Sequence, residues 1–307
     1  MPRFILSSIV ANMIREPGSK CHFCPSCDGR GCVSELPGMG GVFENANFID
    51  NCAAWRSAAY SALPGLSSGS AELPRLRLAP ITGALQNIGY HDEREYYFDM
   101  IEGCLDAGLA LSIGDGYPDE KLKYGIEALT ARSLKGAVFI KPYPNERILE
   151  RMEWAANVSE IVGVDIDSYA IVTMRNLVNL QEKSAADLKE LMKAASAPFA
   201  VKGVFKRSDL ELIRELRPDI VVVSNHGGRV ETDRGSTAAF LSAHGAELAR
   251  HCGEVWVDGG IRTARDARIA KSLGAAEVMI GRPLITALLK SGPSGIADWL
   301  ANFTQGN

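Results

Sequence analysis

The 307-residue sequence predicts a (β/α)8 (TIM) barrel behind a cysteine-rich N-terminal extension. Three observations carry this. From about residue 75, short runs rich in Val and Ile alternate with longer segments of helical spacing. There are eight such runs, and repeats of roughly 20–40 residues are those of βα units that close into a barrel. Residues 1–74 do not join the rhythm, which places the extension at 1–74 and the barrel at 75–307.

The strands follow in order. RLRLAPI (75–81) opens the series and LALSI (109–113), AVFI (137–140) and IVGVDI (161–166) continue it. FAVKG (199–203), DIVVV (219–223), EVWVDG (254–259) and EVMIG (277–281) complete it. Runs rich in Val and Ile, each followed by a helix, suit parallel strands covered on both faces. Between them, DEREYYFDMIEGCLDAG (92–108), NERILERMEWAAN (145–157), SDLELIRELRP (208–218) and ARDARIAKSLG (264–274) carry helical periodicity. KSAADLKELMK (183–193) reads as a helix with a solvated charged face. A doubly wound open sheet is the competing architecture, but no glycine-rich dinucleotide turn follows the first strand. The extension holds PGMGG (37–41) and the loop-like LPGLSSGSAELP (63–74), and is read as packed on or beside the barrel.

Composition narrows the function. The chain is 46% hydrophobic and 23% charged with a net charge of −4, and its pI is near 5.8. Neither nucleic acid nor an anionic membrane is the expected partner. No apolar stretch approaches the ~18 residues of a membrane span. The short apolar run in MPRFILSSIVANMIREPG lacks a small-residue cleavage site, so a cytoplasmic protein is expected.

In a parallel barrel the βα loops converge on one mouth, so residues at strand ends form a constellation. Here those ends carry Asp165, Lys202, His226 with Arg229, Asp258, and Gly281 with Arg282. SNHGGRVETD (224–233) sets an imidazole and a guanidinium three residues apart directly behind a buried strand. Two like charges so placed serve a ligand better than a fold. The alternatives are a satisfied core histidine at His226 and a loop-capping role for Asp165. VDGGIRTARDA (257–267) and IGRPL (280–284) put glycines directly before helices, where backbone N–H groups meet an anion. Arg282 adds a fork suited to phosphate oxygens. The plainer reading makes these glycines turn residues.

The blocks VKGV (201–204), SNHGGR (224–229), DGGIR (258–262) and GRP (281–283) stand in the order and spacing of a known family. With them the chain resembles the FMN-dependent α-hydroxy acid oxidases and dehydrogenases, which include glycolate and lactate oxidases. APITGA (79–84) and VDID (164–167) resemble the family's segments after strands one and four. The resemblance covers roughly residues 75–290, loosely before residue 160. It implies FMN as cofactor and a small hydroxy acid as substrate, oxidised to the 2-oxo acid. His226 would be the base, Asp165 would hold it, and Arg229 would bind the substrate carboxylate. Lys202 would stabilise the negative charge of reduced flavin. Pro80, Ile81, Thr82, Gly83 and Ser224 would line the ring, with Asp258, Gly260, Arg262, Gly281 and Arg282 holding the ribityl and phosphate groups. A homo-oligomer, a tetramer, is likewise implied.

The departures are specific. FIKPYPNE (139–146) places Lys141 where the family has a tyrosine, with Tyr143 nearby. Lys141 either pairs with a substrate carboxylate or is a surface lysine. LSIGDGYPDE (111–120) lacks the usual tryptophan after strand two, and no N-terminal tyrosine matches the family's. KCHFCPSCDGRGC (20–32) is foreign to the family; Cys21, Cys24, Cys27 and Cys32 are spaced for an iron–sulfur cluster or zinc, or are unliganded thiols. An iron–sulfur cluster would pass electrons on to an acceptor protein and make the chain a dehydrogenase. Two rival functions are a type 2 isopentenyl diphosphate isomerase, which SNHGGR argues against, and a non-catalytic redox- or metal-sensing flavoprotein.

Overall fold

The computed structural model describes residues 46–57, 60, 72–84, 90–171, 174, 177–230 and 233–305. The four cysteines at positions 21–32 therefore lie outside the described residues. The eight apolar runs are strands: β1 Arg75–Leu78, β2 Ser112–Gly114, β3 Gly136–Ile140, β4 Ser159–Asp165, β5 Phe199–Val204, β6 Ile220–Val223, β7 Glu254–Val257 and β8 Glu277–Ile280. All pairings are parallel, in the order β1-β8-β7-β6-β5-β4-β3-β2. A parallel bridge between Arg77 and Ala110, just before β2, joins the two ends of that order. The sheet is thus a closed barrel.

Helices follow the strands as their spacing requires. In chain order they are α1 Ala46–Ala54, α2 Glu93–Asp106, α3 Glu120–Thr130, α4 Asn145–Ala155, α5 Ala185–Ala194 and α6 Arg207–Leu216. Next come α7 Thr237–Leu248, α8 Ala264–Ser272, α9 Arg282–Ser291 and α10 Ser294–Gln305. Local chemistry sets several starts. Ser184 and Thr263 each accept a backbone N–H from the third residue of their helix, and Asp187 and Asp266 return the bond, forming capping boxes. No helix among the described residues is long and apolar enough to cross a membrane.

Two apolar layers explain the unbroken strand hydrophobicity. Ala137, Phe139, Ile161, Ala200, Ile220, Val222, Trp256 and Met279 fill the barrel interior. The alternate strand residues join the helices in a larger outer core. Gly163 is part of the interior fit: a Cβ there would sit 2.7 Å from the Phe139 ring. Arg77 lies among the β-strand residues with no exposure. Its Nε donates to Glu277 Oε2 at 2.6 Å and its guanidinium lies 4.7 Å from the Trp256 ring centroid.

Candidate active site

Strand ends β3 to β7 deliver one buried network. Lys202, near the end of β5, is 2% exposed. Its ammonium lies 3.0 Å from Asp165 Oδ1 and 3.7 Å from Asp258 Oδ2, and 3.4 Å from Ser224 Oγ. The Ser224 hydroxyl donates to Asp258 Oδ2 at 2.8 Å and accepts the His226 backbone N–H at 3.1 Å. Lys141 follows β3 directly and is buried, which removes the surface reading. Its Nζ donates to Asp165 Oδ2 at 2.8 Å and lies 3.2 Å from His226 Nε2. Its backbone N–H donates to Asp115 Oδ2 at 3.1 Å, a carboxylate that also takes Arg151 Nε at 3.0 Å. The end of β3 is therefore pinned from beneath.

His226 sits in a short 3-10 turn, His226–Gly228, with φ +57, an uncommon backbone region for a residue with a Cβ. The turn is held by Asn225, whose side chain accepts the Gly228 N–H at 2.9 Å. Gly228 itself, at φ +91, lies so close to the backbone of Phe48 that a Cβ would come within 2.5 Å of it. Arg229 follows at once and is half-buried.

One expected role moves to a neighbour. Asp165 does not hold the His226 ring; its two oxygens are drawn to the ammonium groups of Lys141 and Lys202. Asp167 takes the ring instead, with Oδ1 3.2 Å from Nδ1. Room for Asp167 comes from Gly203 at φ +95, where a Cβ would meet the carboxylate carbon and Oδ1 at 2.5 Å. The glycine of VKGV is thus a steric requirement of the carboxylate that meets the His226 ring.

Burial opposes charge throughout the cluster, and the ion pairs decide the outcome. Burial works against ionised Asp165, yet Lys141 and Lys202 hold its carboxyl well below the carboxylate range. Burial likewise opposes the Lys202 ammonium, but Asp165 and then Asp258 raise its pKa. Burial lowers the pKa of His226, and the Lys141 ammonium lowers it further against the pull of Asp167. Burial raises Asp258, with Lys202 acting against it. Oxygen and nitrogen atoms of Asp165, Asp167 and His226 lie within 4.8 Å of one another. Two ammonium groups already neutralise that cluster, so an ion-pair network, not a metal centre, is what the charges form.

The adjoining rim has the features of an anion and polyol cradle. After β7, Gly259 and Gly260 take φ +89 and +79, and a Cβ on Gly260 would strike the Asn51 carbonyl. Trp55 Nε1 donates to Gly259 O at 2.8 Å. Arg262 precedes α8, its N–H donating to Asp266 Oδ2 at 2.9 Å. After Gly281, α9 begins with no side-chain cap on its N-terminal N–H groups. Arg282 opens that helix, donating to Gly227 O at 2.8 Å with its guanidinium 4.2 Å from the Phe48 ring centroid. Pro80, Ile81 and Thr82 are half-buried beyond β1, and the buried Gly83 donates its N–H to Glu93 at 2.8 Å. Asp258 Oδ1 is buried with no hydrogen-bond partner among the described residues. A partly open rim above a buried ammonium, with a spare acceptor and an uncapped helix start, fits an anionic cofactor bearing hydroxyl groups.

Sequence reasoning did not find Asp167, Asp115, Asn47 or Asn51. Asn47 and Asn51 are fully buried on one face of α1. Asn47 Nδ2 donates to Val230 O and Asp233 O, and its Oδ1 accepts the Gly235 N–H at 2.9 Å. Asn51 exchanges amide bonds with Asn225 and accepts the Thr237 N–H at 2.9 Å. Together they clamp both ends of the loop that carries His226 and Arg229. Two signals were available: the i, i+4 spacing of Asn47 and Asn51, and the second aspartate of VDID.

A family model described as FMN-dependent dehydrogenase matches residues 136–306. The chain is 35% identical over 117 residues to an L-lactate oxidase of Roseobacter sp. (strain GAI101), covering 38% of this chain and 31% of that protein. It is 37% identical over 110 residues to a 2-hydroxyacid oxidase of Dictyostelium discoideum, covering 36% and 28%. These matches span only about a third of the length of the curated relatives. In fold, the chain is similar to a mandelate oxidase solved with (S)-2-phenylpropionate, with TM-score 0.64, 20% identity, and coverage of 98% of this chain and 90% of that one.

Proposed function

The chain belongs to the FMN-dependent dehydrogenase family, and from that premise we propose that it oxidises a small 2-hydroxy acid to the 2-oxo acid. FMN, when bound, supplies the two-electron acceptor. In this reading Lys202 faces the ring, where its ammonium stabilises negative charge gained on reduction. Pro80, Ile81, Thr82, Gly83 and Ser224 line the ring, Asp258 and Gly260 meet the ribityl hydroxyls, and Arg262, Gly281 and Arg282 hold the phosphate. His226 takes a proton from the substrate as general base, and Asp167 stabilises the imidazolium that results. Asp165 serves as shared counter-ion of the two lysines. Arg229 binds the substrate carboxylate, with its fork matched to two oxygens.

The observation that carries this reading is the meeting of His226, Lys202 and Lys141 around Asp165 and Asp167 at one barrel mouth. Anaerobic titration of the flavin-loaded protein with a panel of 2-hydroxy acids tests it. Loss of the flavin band at about 450 nm with at least one acid is the expected result; an unchanged spectrum with every acid would reject it.

The finer features of the chain belong to the same proposal. The barrel spans 75–307 and carries the chemistry, and the protein works in the cytoplasm as a homo-oligomer. Cys21, Cys24, Cys27 and Cys32 hold an iron–sulfur cluster, zinc or no metal at all, and metal analysis after anaerobic purification decides among the three. An iron–sulfur cluster there would make a further electron carrier, not oxygen, the acceptor.

A further inference from the structure

The residue that departs most from the family pattern is also the one that touches the base. We propose that Lys141 is a positioning residue that fixes His226 as the neutral tautomer, with its proton on Nδ1 and its Nε2 lone pair held unprotonated by the Lys141 ammonium. This deepens the reading above and rests on it for the identity of the base.

The geometry leaves the ring one arrangement. An ammonium has three donors and no acceptor, so at 3.2 Å from Lys141 Nζ the His226 Nε2 must accept. The ring proton then belongs on Nδ1, where it donates to Asp167 Oδ1 at 3.2 Å. A hydroxyl in the position of Lys141 would not impose this choice, because it can donate or accept. Lys141 is itself fixed at two points: its Nζ pairs with Asp165 at 2.8 Å, and its backbone N–H donates to the buried Asp115 at 3.1 Å.

The charge acts in the same direction. His226 faces Lys141 from β3, Asp165 and Asp167 from the end of β4, Lys202 from β5 and Asp258 from β7. Its own turn adds Arg229, and Arg282 of α9 contacts Gly227. Asp165 and Lys202 pair with each other, and Asp167 favours the imidazolium. Lys141 is in direct contact with the ring and disfavours a second positive charge there. Burial and the Lys141 ammonium together displace protonation of the ring below its ordinary range.

Nitrogen-resolved NMR of His226 in the flavin-loaded full chain, without substrate, tests the assignment directly. Wild-type protein should show the Nδ1–H tautomer and a protonation midpoint below the ordinary histidine value of about 6.5. Lys141→Met should raise the midpoint by about one pH unit, a tenfold change in proton affinity, whereas Lys141→Arg should leave it near wild type. The acid limb of flavin reduction by a hydroxy acid should move with it. An Nε2–H tautomer in the wild type, or a midpoint unmoved in folded Lys141→Met, would overturn the proposal. If Lys141→Met does not fold, the wild-type tautomer and the Lys141→Arg midpoint still decide. The measurement needs no turnover, so a protein that oxidises no hydroxy acid but titrates as stated rejects the function and leaves Lys141 in this role.

Discussion

Gly203→Ala should unseat Asp167, the carboxylate that meets the His226 ring, and the structure sets the size of the effect. At φ +95 a residue with a side chain incurs about 1–2 kcal/mol of backbone strain. The new Cβ would also lie 2.5 Å from Asp167 Cγ and Oδ1 and 2.8 Å from Asp167 Cβ. Overpacking of this kind adds about 1–3 kcal/mol, giving a total of about 2–5 kcal/mol. The clash disappears only when Asp167 loses its whole side chain, Cβ included, so in an Asp167→Gly background Gly203→Ala should cost only the strain. Urea unfolding of the four proteins measures the difference as a coupling energy of about 1–3 kcal/mol. Additivity within about 0.5 kcal/mol would refute the idea that the glycine exists to admit Asp167. The same single variant should lose flavin reduction, because His226 Nδ1 loses its acceptor.

Other perturbations have equally definite outcomes. Asp167→Asn offers an amide in place of the carboxylate and no longer stabilises the imidazolium; a fall of about 10²- to 10⁴-fold in the rate of flavin reduction is expected by analogy with triad aspartates, read by anaerobic stopped flow. Lys202→Met strands the buried Asp165 and Asp258 beside one remaining lysine, costing about 3–5 kcal/mol in unfolding free energy and weakening flavin retention on dialysis. Asn51→Ala leaves the buried Thr237 N–H unpaired at about 1–3 kcal/mol and removes the two bonds to Asn225, which keeps only Gly235 O and the Gly228 N–H; it should raise KM more than it lowers kcat, since the loop bearing Arg229 loosens. The pH dependence has a worked sign: His226 has a lowered pKa in the fold, so the unfolded chain takes up its proton first, and stability falls as pH drops through about 6.5. Wild-type kcat/KM should accordingly stay level through that pH and decline only below it, as a pH–rate profile would show.

The barrel was legible because its signals are local. DIVVV and IVGVDI are apolar on both faces, and the intervening helices carry their own periodicity and caps, so each unit announces itself within its own residues. The ends of those strands also fixed where Lys202, His226, Asp258 and Arg282 would gather. The partnerships among them were harder to read. Asp165 and Asp167 stand two residues apart, and only the pull of two lysines from β3 and β5 decides which carboxylate reaches the imidazole. Lys141 looked equally suited to the surface until Asp165 and Asp115 were seen to bury it. Asn47 and Asn51 clamp a loop more than 170 residues away in sequence, a separation at which no local pattern exists.

His226 as base to a bound flavin is most directly tested by mixing the flavin-loaded protein anaerobically with the best hydroxy acid from the panel, beside His226→Gln. Wild-type protein should bleach rapidly, while His226→Gln should keep its flavin and remain oxidised over the same interval. A variant that bleaches at the wild-type rate would contradict the assignment, and a wild-type chain that takes up no flavin would contradict the site as a whole.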